Sequence, residues 1–219
     1  NLTCYSGSYA GGYSENTTSF QPASKKGLFV TAIDSALKVS WRLFIQANDK
    51  FHCNLLCPDG KGNLIAAGYF SDSLGVGGFQ FRSTKNPGQT AKNKDIFLLL
   101  INSSGVVVKA QTFGGTGNDY PTALCADTRG NAIVSAVIAD TVQLGDYYYP
   151  QQSNARCIVF KTNFNAHTSW VTAFSGAGVA MNGLKFTKSN KIVCGLHYQS
   201  VLYVKSKGKT TKINSSEEY

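Results

Sequence analysis

Residues 113–138 read FGGTGNDYPTALCADTRGNAIVSAVI and hold, in one window, a glycine-rich opening, the pair Asn118-Asp119, an Asp127-x-x-Gly130-Asn131 turn and an apolar run. Asp and Asn side chains accept hydrogen bonds from their own backbone in tight turns, and Gly supplies the positive φ at which a strand reverses. The window therefore predicts strand, turn, strand. It also recurs. Residues 48–70, NDKFHCNLLCPDGKGNLIAAGYF, set Asn48-Asp49 against Asn118-Asp119, Cys57 against Cys125, Asp59 against Asp127 and Gly62-Asn63 against Gly130-Asn131. A weaker copy, GLKFTKSNKIVCGLHY at 183–198, puts Ser189-Asn190 in the Gly-Asn place, and NLTCYSGSY opens the chain as a fourth. With Asn1, Asn63, Asn131 and Asn190 in one column the period is close to 60 residues.

Each period carries another shared feature. GLFVTAID (27–34), DIFLLLIN (95–102) and CIVFKTN (157–163) are nearly continuous apolar runs ending in a polar turn, each followed by a second apolar strand. Such runs read as strands buried on both faces, and nothing has a helical period. About four short antiparallel strands per unit, repeated, predict an all-β chain built as a β-propeller of four-stranded antiparallel blades. The expected units are 1–62, 63–130, 131–189 and 190–219, about three and a half within a single domain. A ring needs a whole number of blades, so neighbouring sequence or another chain is expected to close it. The string GGTGNDYPTALCADTRGNAIVSAVI resembles the repeat of the SBBP family of seven-bladed β-propellers, whose units open on Gly-Gly-x-Gly-Asn-Asp and place a turn acid and a Gly-Asn before an apolar strand. The likeness is good over 113–138, partial over 48–70 and poor over 178–197. It implies a surface or secreted propeller that binds or builds, and offers no shared catalytic residues to carry over.

At 219 residues and 42% hydrophobic the chain suits one core, and its 22 glycines, 11 Tyr and 13 Phe suit short strands and tight turns. No apolar run reaches the roughly 18 residues that span a bilayer. The net charge of +9 is scattered, except for Lys205, Lys207, Lys209 and Lys212, three of which would share one face of a strand and guard an edge. Neither an Arg-rich helix nor an aromatic ribonucleoprotein motif points to nucleic acid.

Six cysteines, Cys4, Cys53, Cys57, Cys125, Cys157 and Cys194, permit a disulfide framework without choosing a pairing, and equally read as small apolar residues inside strands. Along a strand, Cys53 and Cys57 stand roughly 13 Å apart, too far to share a zinc ion with His52. His52, His167 and His197 form no metal or protease pattern, and no nucleophile elbow, phosphate loop or paired-carboxylate spacing occurs. No metal, cofactor or catalytic residue is expected. Asp49, Asp59, Asp119 and Asp127 are expected to shape turns. Asn-x-Ser/Thr sequons at Asn1, Asn16, Asn102 and Asn214 are candidate glycosylation sites.

For binding, Tyr147, Tyr148 and Tyr149 stand together, and alternation along a strand should expose at least one of them. The polar insert 77–94 is expected to form an extended recognition loop. The leading expectation is a non-enzymatic extracellular or surface propeller serving as a structural, adhesive or protein-interaction module, with protein partners or self-assembly. A glycan-binding lectin using Tyr148 with nearby amides is the alternative. A fragment of a propeller hydrolase is a third reading.

Overall fold

The structure is a computed structural model that describes residues 2–10, 13–15, 18–20, 26–85, 92–150, 155–199, 201–206 and 209–214. The described residues form strands and turns and no helix. In order the strands are β1 (Thr3–Ala10), β2 (Tyr13–Glu15), β3 (Thr18–Phe20), β4 (Lys26–Ile33), β5 (Val39–Ala47), β6 (Phe51–Pro58), β7 (Leu64–Phe70), β8 (Ser73–Val76) and β9 (Phe79–Arg82). They continue as β10 (Asp95–Ile101), β11 (Val107–Gly115), β12 (Tyr120–Ala126), β13 (Ala132–Val137), β14 (Val142–Leu144) and β15 (Tyr147–Tyr149). The last set is β16 (Ala155–Thr162), β17 (Thr168–Ser175), β18 (Ala180–Phe186), β19 (Ile192–His197), β20 (Val201–Ser206) and β21 (Lys209–Asn214).

Six hairpins close on one turn. The backbone N–H of its first residue donates to the carbonyl of its fifth, at 2.8–3.1 Å, in Asp34–Lys38, Asp59–Asn63, Asn102–Val106, Asp127–Asn131, Asn163–His167 and Thr187–Lys191. The fourth residue always has positive φ: Leu37, Gly62, Gly105, Gly130, Ala166 and Asn190, between 58° and 92°. In the first five turns the Asx Oδ1 also accepts the N–H groups of the third and fifth residues. This cap satisfies two donors that the reversing chain would otherwise present to water. It also corrects the column used above: Lys191, not Asn190, stands where Asn63 and Asn131 stand. In the sixth turn the polar residue has moved to the positive-φ position, which Asn tolerates better than other non-glycine residues.

These hairpins assemble in one recurring way. A four-stranded antiparallel run, β6-β7-β10-β11, is matched by β12-β13-β16-β17, and β1-β4-β5 supplies its last three strands. The outer edge of each run then receives a short hairpin, β8-β9, β14-β15 or β20-β21, that in sequence follows a strand of the next sheet. The recurring set is thus six strands, not four. The additional pair stitches neighbouring sheets together, because pulling them apart would break a covalently continuous ladder.

Sheets covered on both faces explain the continuous apolar runs. In β10, Phe97, Leu99 and Ile101 face one core with Leu28, Val30 and Ile45, while Ile96 and Leu98 face a second with Val134, Ile158 and Phe160. A third core joins Cys157, Val159 and Phe174 to Met181 and Leu202. Trp41 of β5 lies over the β10-β11 turn, so close that a Cβ on Gly105 would come within 2.7 Å of its ring.

Two expectations about loops change. The insert 77–94 does not start as a loop: Gly77-Gly78 turns the chain and β9 pairs back on β8, with Phe79 and Phe81 stacked 6.4 Å apart. Glycines on the insert's own first residues suffice to reverse it, and its residues 86–91 lie outside the described ones. The lysine tail is likewise not one strand. Lys205 lies on β20 and Lys209 and Lys212 on β21, across a hairpin in which Ser206 faces Lys209; Lys207 lies outside the described residues.

Candidate binding groove

Strands β6, β12 and β18 begin their sheets and lie side by side. Each carries a β-bulge, between Cys53 and Leu55, Pro121 and Ala123, and Met181 and Gly183. The extra residues are Asn54, Thr122 and Asn182, and each stands five positions before the first residue of its hairpin turn. A bulge places two residues opposite one and re-aims a side chain. Here it puts a polar side chain in the same place on three strands, while Cys53, Pro121 and Met181 beside them stay buried.

The result is a groove of about 440 Å³ lined by His52, Asn54, Tyr69, Tyr120, Thr122 and Asn182. A second hollow of about 500 Å³, between β1 and β6, shares His52 and Asn54 and adds Ser6 and Ser8. Ser6 Oγ donates to the Cys53 carbonyl at 2.5 Å and holds β1 against β6. Three rings form one wall: Tyr69 and Tyr120 meet edge to face at 6.4 Å, and His52 lies 6.0 Å from Tyr69. The Lys94 ammonium sits 4.5 Å above Tyr69 and 5.7 Å from Tyr120, a cation–π placement that keeps a positive charge at the rim. Amides, a hydroxyl, an imidazole and aromatic faces make a surface for holding a polar ligand. Nothing in it pairs a nucleophile with a base.

The acids lie elsewhere. Asp59 and Asp127 cap the two best-matched turns, each with a second oxygen taken by Asn63 or Asn131 Nδ2 at 2.7 and 2.9 Å. Burial works to raise the Asp127 carboxyl, but hydrogen bonds from Lys161, Asn131 and the Asn131 and Arg129 amides outweigh it and hold it at about 2. Asp49 and Asp119 are not hairpin caps. Asp49 accepts from Ser71 Oγ at 3.0 Å and Asp119 from the Ala139 amide at 3.1 Å, so each clamps a corner between strands.

Asp119 is fully buried with Oδ2 unpartnered, and Asp95, 4% exposed, has Oδ1 unpartnered. Burial, with a smaller contribution from the nearby Asp95 and Asp140 charges, pushes Asp119 up to about 7, and burial pushes Asp95 up to about 6. Neither carboxyl lines the two hollows described above. The pair Asp146–His167, 2.6 Å apart and exposed, has a catalytic look. Its neighbour Thr168, however, spends its hydroxyl on the Leu144 carbonyl at 2.6 Å, and the Asp146 Oδ1 is taken by the Thr168 amide at 2.7 Å. The arrangement ties the β14-β15 turn to the β16-β17 turn.

Of the three tyrosines, Tyr147 and Tyr148 are 42% and 59% exposed on β15, whereas Tyr149 is buried opposite Val142 in the core between two sheets. As a ligand contact Tyr149 is therefore withdrawn. Asn102 and Asn214 lie at strand ends on the surface, while Asn1 and Asn16 lie outside the described residues. All six cysteines are free, and burial pushes the Cys53 and Cys125 thiols up to about 12, which makes them poor nucleophiles. Among the described residues no three His, Cys, Asp or Glu side chains gather as a metal site.

The bulged residues are the part that sequence reading passed over. Their signal is a polar residue breaking an apolar alternation five places before the turn, in NLLCPD, TALCAD and NGLKFT. No family model matches the chain, and a search of curated proteins returns no significant match.

Proposed function

We propose that the chain is part of a β-propeller, resembling the SBBP repeat type, and that it works as a non-enzymatic surface or extracellular module that holds a partner in the groove across β6, β12 and β18. The observation that carries this reading is the bulge repeated at the same place on three neighbouring strands. A bulge re-aims a side chain, and here three bulges at matching places bring Asn54, Thr122 and Asn182 into one groove. The recurrence of turns and sheet order supports the propeller architecture, in which the first strand of each blade lines a common axis.

The test is binding of the pure protein to arrays of immobilised glycans and extracellular proteins, compared with an Asn54→Ala/Thr122→Ala/Asn182→Ala variant. Binding that the triple variant loses while its melting temperature stays put supports the proposal. Binding that the variant retains in full overturns it. Glycans as the bound class are favoured by the Tyr69 and Tyr120 faces set beside amides, since sugars stack on aromatic rings and bond to amide groups. If Tyr147→Ala/Tyr148→Ala, rather than the groove variant, abolishes binding, the exposed β15 face is the site instead.

A further inference from the structure

Three strands of this fold have the same outer neighbour. On β1 it is β4, on β7 it is β10 and on β13 it is β16, each antiparallel. The register is the same in all three: Thr3 faces Ile33, Leu64 faces Ile101 and Ala132 faces Thr162, so the neighbour's last residue before its Asx turn stands opposite the start of the acceptor. Strand β19 occupies the corresponding position after the Thr187–Lys191 turn. Among the described residues it pairs with β18 and with nothing else.

The side chains agree with the strand order. With an outer neighbour present, the central strands β7 and β13 are buried almost throughout, while β1, the first strand of its sheet, alternates as β19 does; in β19 Val193 is 56% exposed. Ile192, Cys194 and Leu196 reach the third core only as partly buried residues, together with Leu184 and Phe186. An edge strand also presents a row of unpaired N–H and C=O groups. Natural edges are blunted by charge, proline or brevity, yet the six residues IVCGLH contain no Lys, Arg, Asp, Glu or Pro.

We propose that the free edge of β19 is a strand-acceptor site for a two-stranded hairpin of the β4-β5 kind: a run of seven or eight mostly apolar residues, an Asx turn and a second strand. Among the described residues the three hairpins of this kind are already committed to β1, β7 and β13, so the one that docks here is none of them. It docks antiparallel, with the residue before its Asx turn opposite Ile192. Main-chain hydrogen bonds supply the affinity, and the alternating apolar side chains that complete the third core supply the selection. The inference rests on strand order and register, and stands whether or not the groove proves to be a binding site.

The experiment uses the full chain and a synthetic peptide of residues 26–47, the β4-β5 hairpin, with Val30→Pro as the blocked control, since proline removes a ladder donor. Hydrogen exchange read by mass spectrometry should show residues 192–197 slowed at least tenfold by the peptide, with saturable binding, and no change with the control. Four results overturn the proposal. They are no binding by a soluble peptide, equal binding by the control, protection that falls on β1 or β21 instead, and native mass spectra in which two copies of the chain already pair through β19.

Discussion

Replacing Asp119 by Asn should abolish most of a stability loss that the wild-type protein suffers between pH 4 and pH 8. Both Asp119 and Asp95 have folded-state values above the ordinary 3.8, at about 7 and about 6. A carboxyl whose value is raised on folding stabilises most below the unfolded value and loses that contribution as pH climbs through the folded one. For Asp119 the difference corresponds to about 4 kcal/mol at 1.36 kcal/mol per pH unit. The Asp95 charge adds a smaller part to the Asp119 shift, so the two contributions do not simply add. Asp127 works in the opposite direction. Held at about 2, it contributes about 2 kcal/mol above pH 4 that is lost on acidification. The protein should therefore be most stable near pH 4–5.

The assay is urea unfolding followed by fluorescence from pH 3 to 9. Asp119→Asn retains an oxygen to accept the Ala139 amide and should match wild type near pH 4–5. At pH 8 it should be more stable by about 2–4 kcal/mol. A difference between variant and wild type that stays constant across the range would refute the account, because it would mean that Asp119 does not change protonation in the folded protein.

The turns supply further tests. Leu37 has φ 60° and is 79% exposed, so Leu37→Gly relieves strain without losing packing and should raise stability by about 1 kcal/mol in thermal unfolding. Gly105→Ala should do the reverse, costing about 2 kcal/mol or more, because φ is 81° and Trp41 occupies the space. Asp127→Ala removes an acceptor from two amides, the Asn131 side chain and Lys161 at 2.6 Å, and should cost about 2 kcal/mol by urea unfolding. Asn102→Asp keeps the cap while removing the sequon; expressed through a secretory pathway, it should lose any glycan seen at that site by mass spectrometry and keep its melting temperature.

Much of this molecule was legible as text. A backbone reversing direction with an Asx cap and a positive-φ residue leaves a local signature, so DGKGN and DTRGN announced their hairpins, and runs such as DIFLLLI declared strands covered on both faces. The signature blurred where another residue took the strained position: Leu37 and Ala166 adopt positive φ without any sequence sign, and Asn190 shifted the apparent alignment by one. Those turns are held in place by the strands on either side.

What the chain's own order determined is therefore local: turn chemistry, strand length and which faces are apolar all follow from neighbours a few residues apart. Everything that involves two sheets was settled only in three dimensions. Asp95, at the start of β10, and Asp119, in the β11-β12 connection, come near each other and lose water only because the sheets close over them. Asn54, Thr122 and Asn182 line one groove because three strands far apart in the chain lie side by side. Burial, field and adjacency are sums over distant parts of the chain, and no window of sequence contains them.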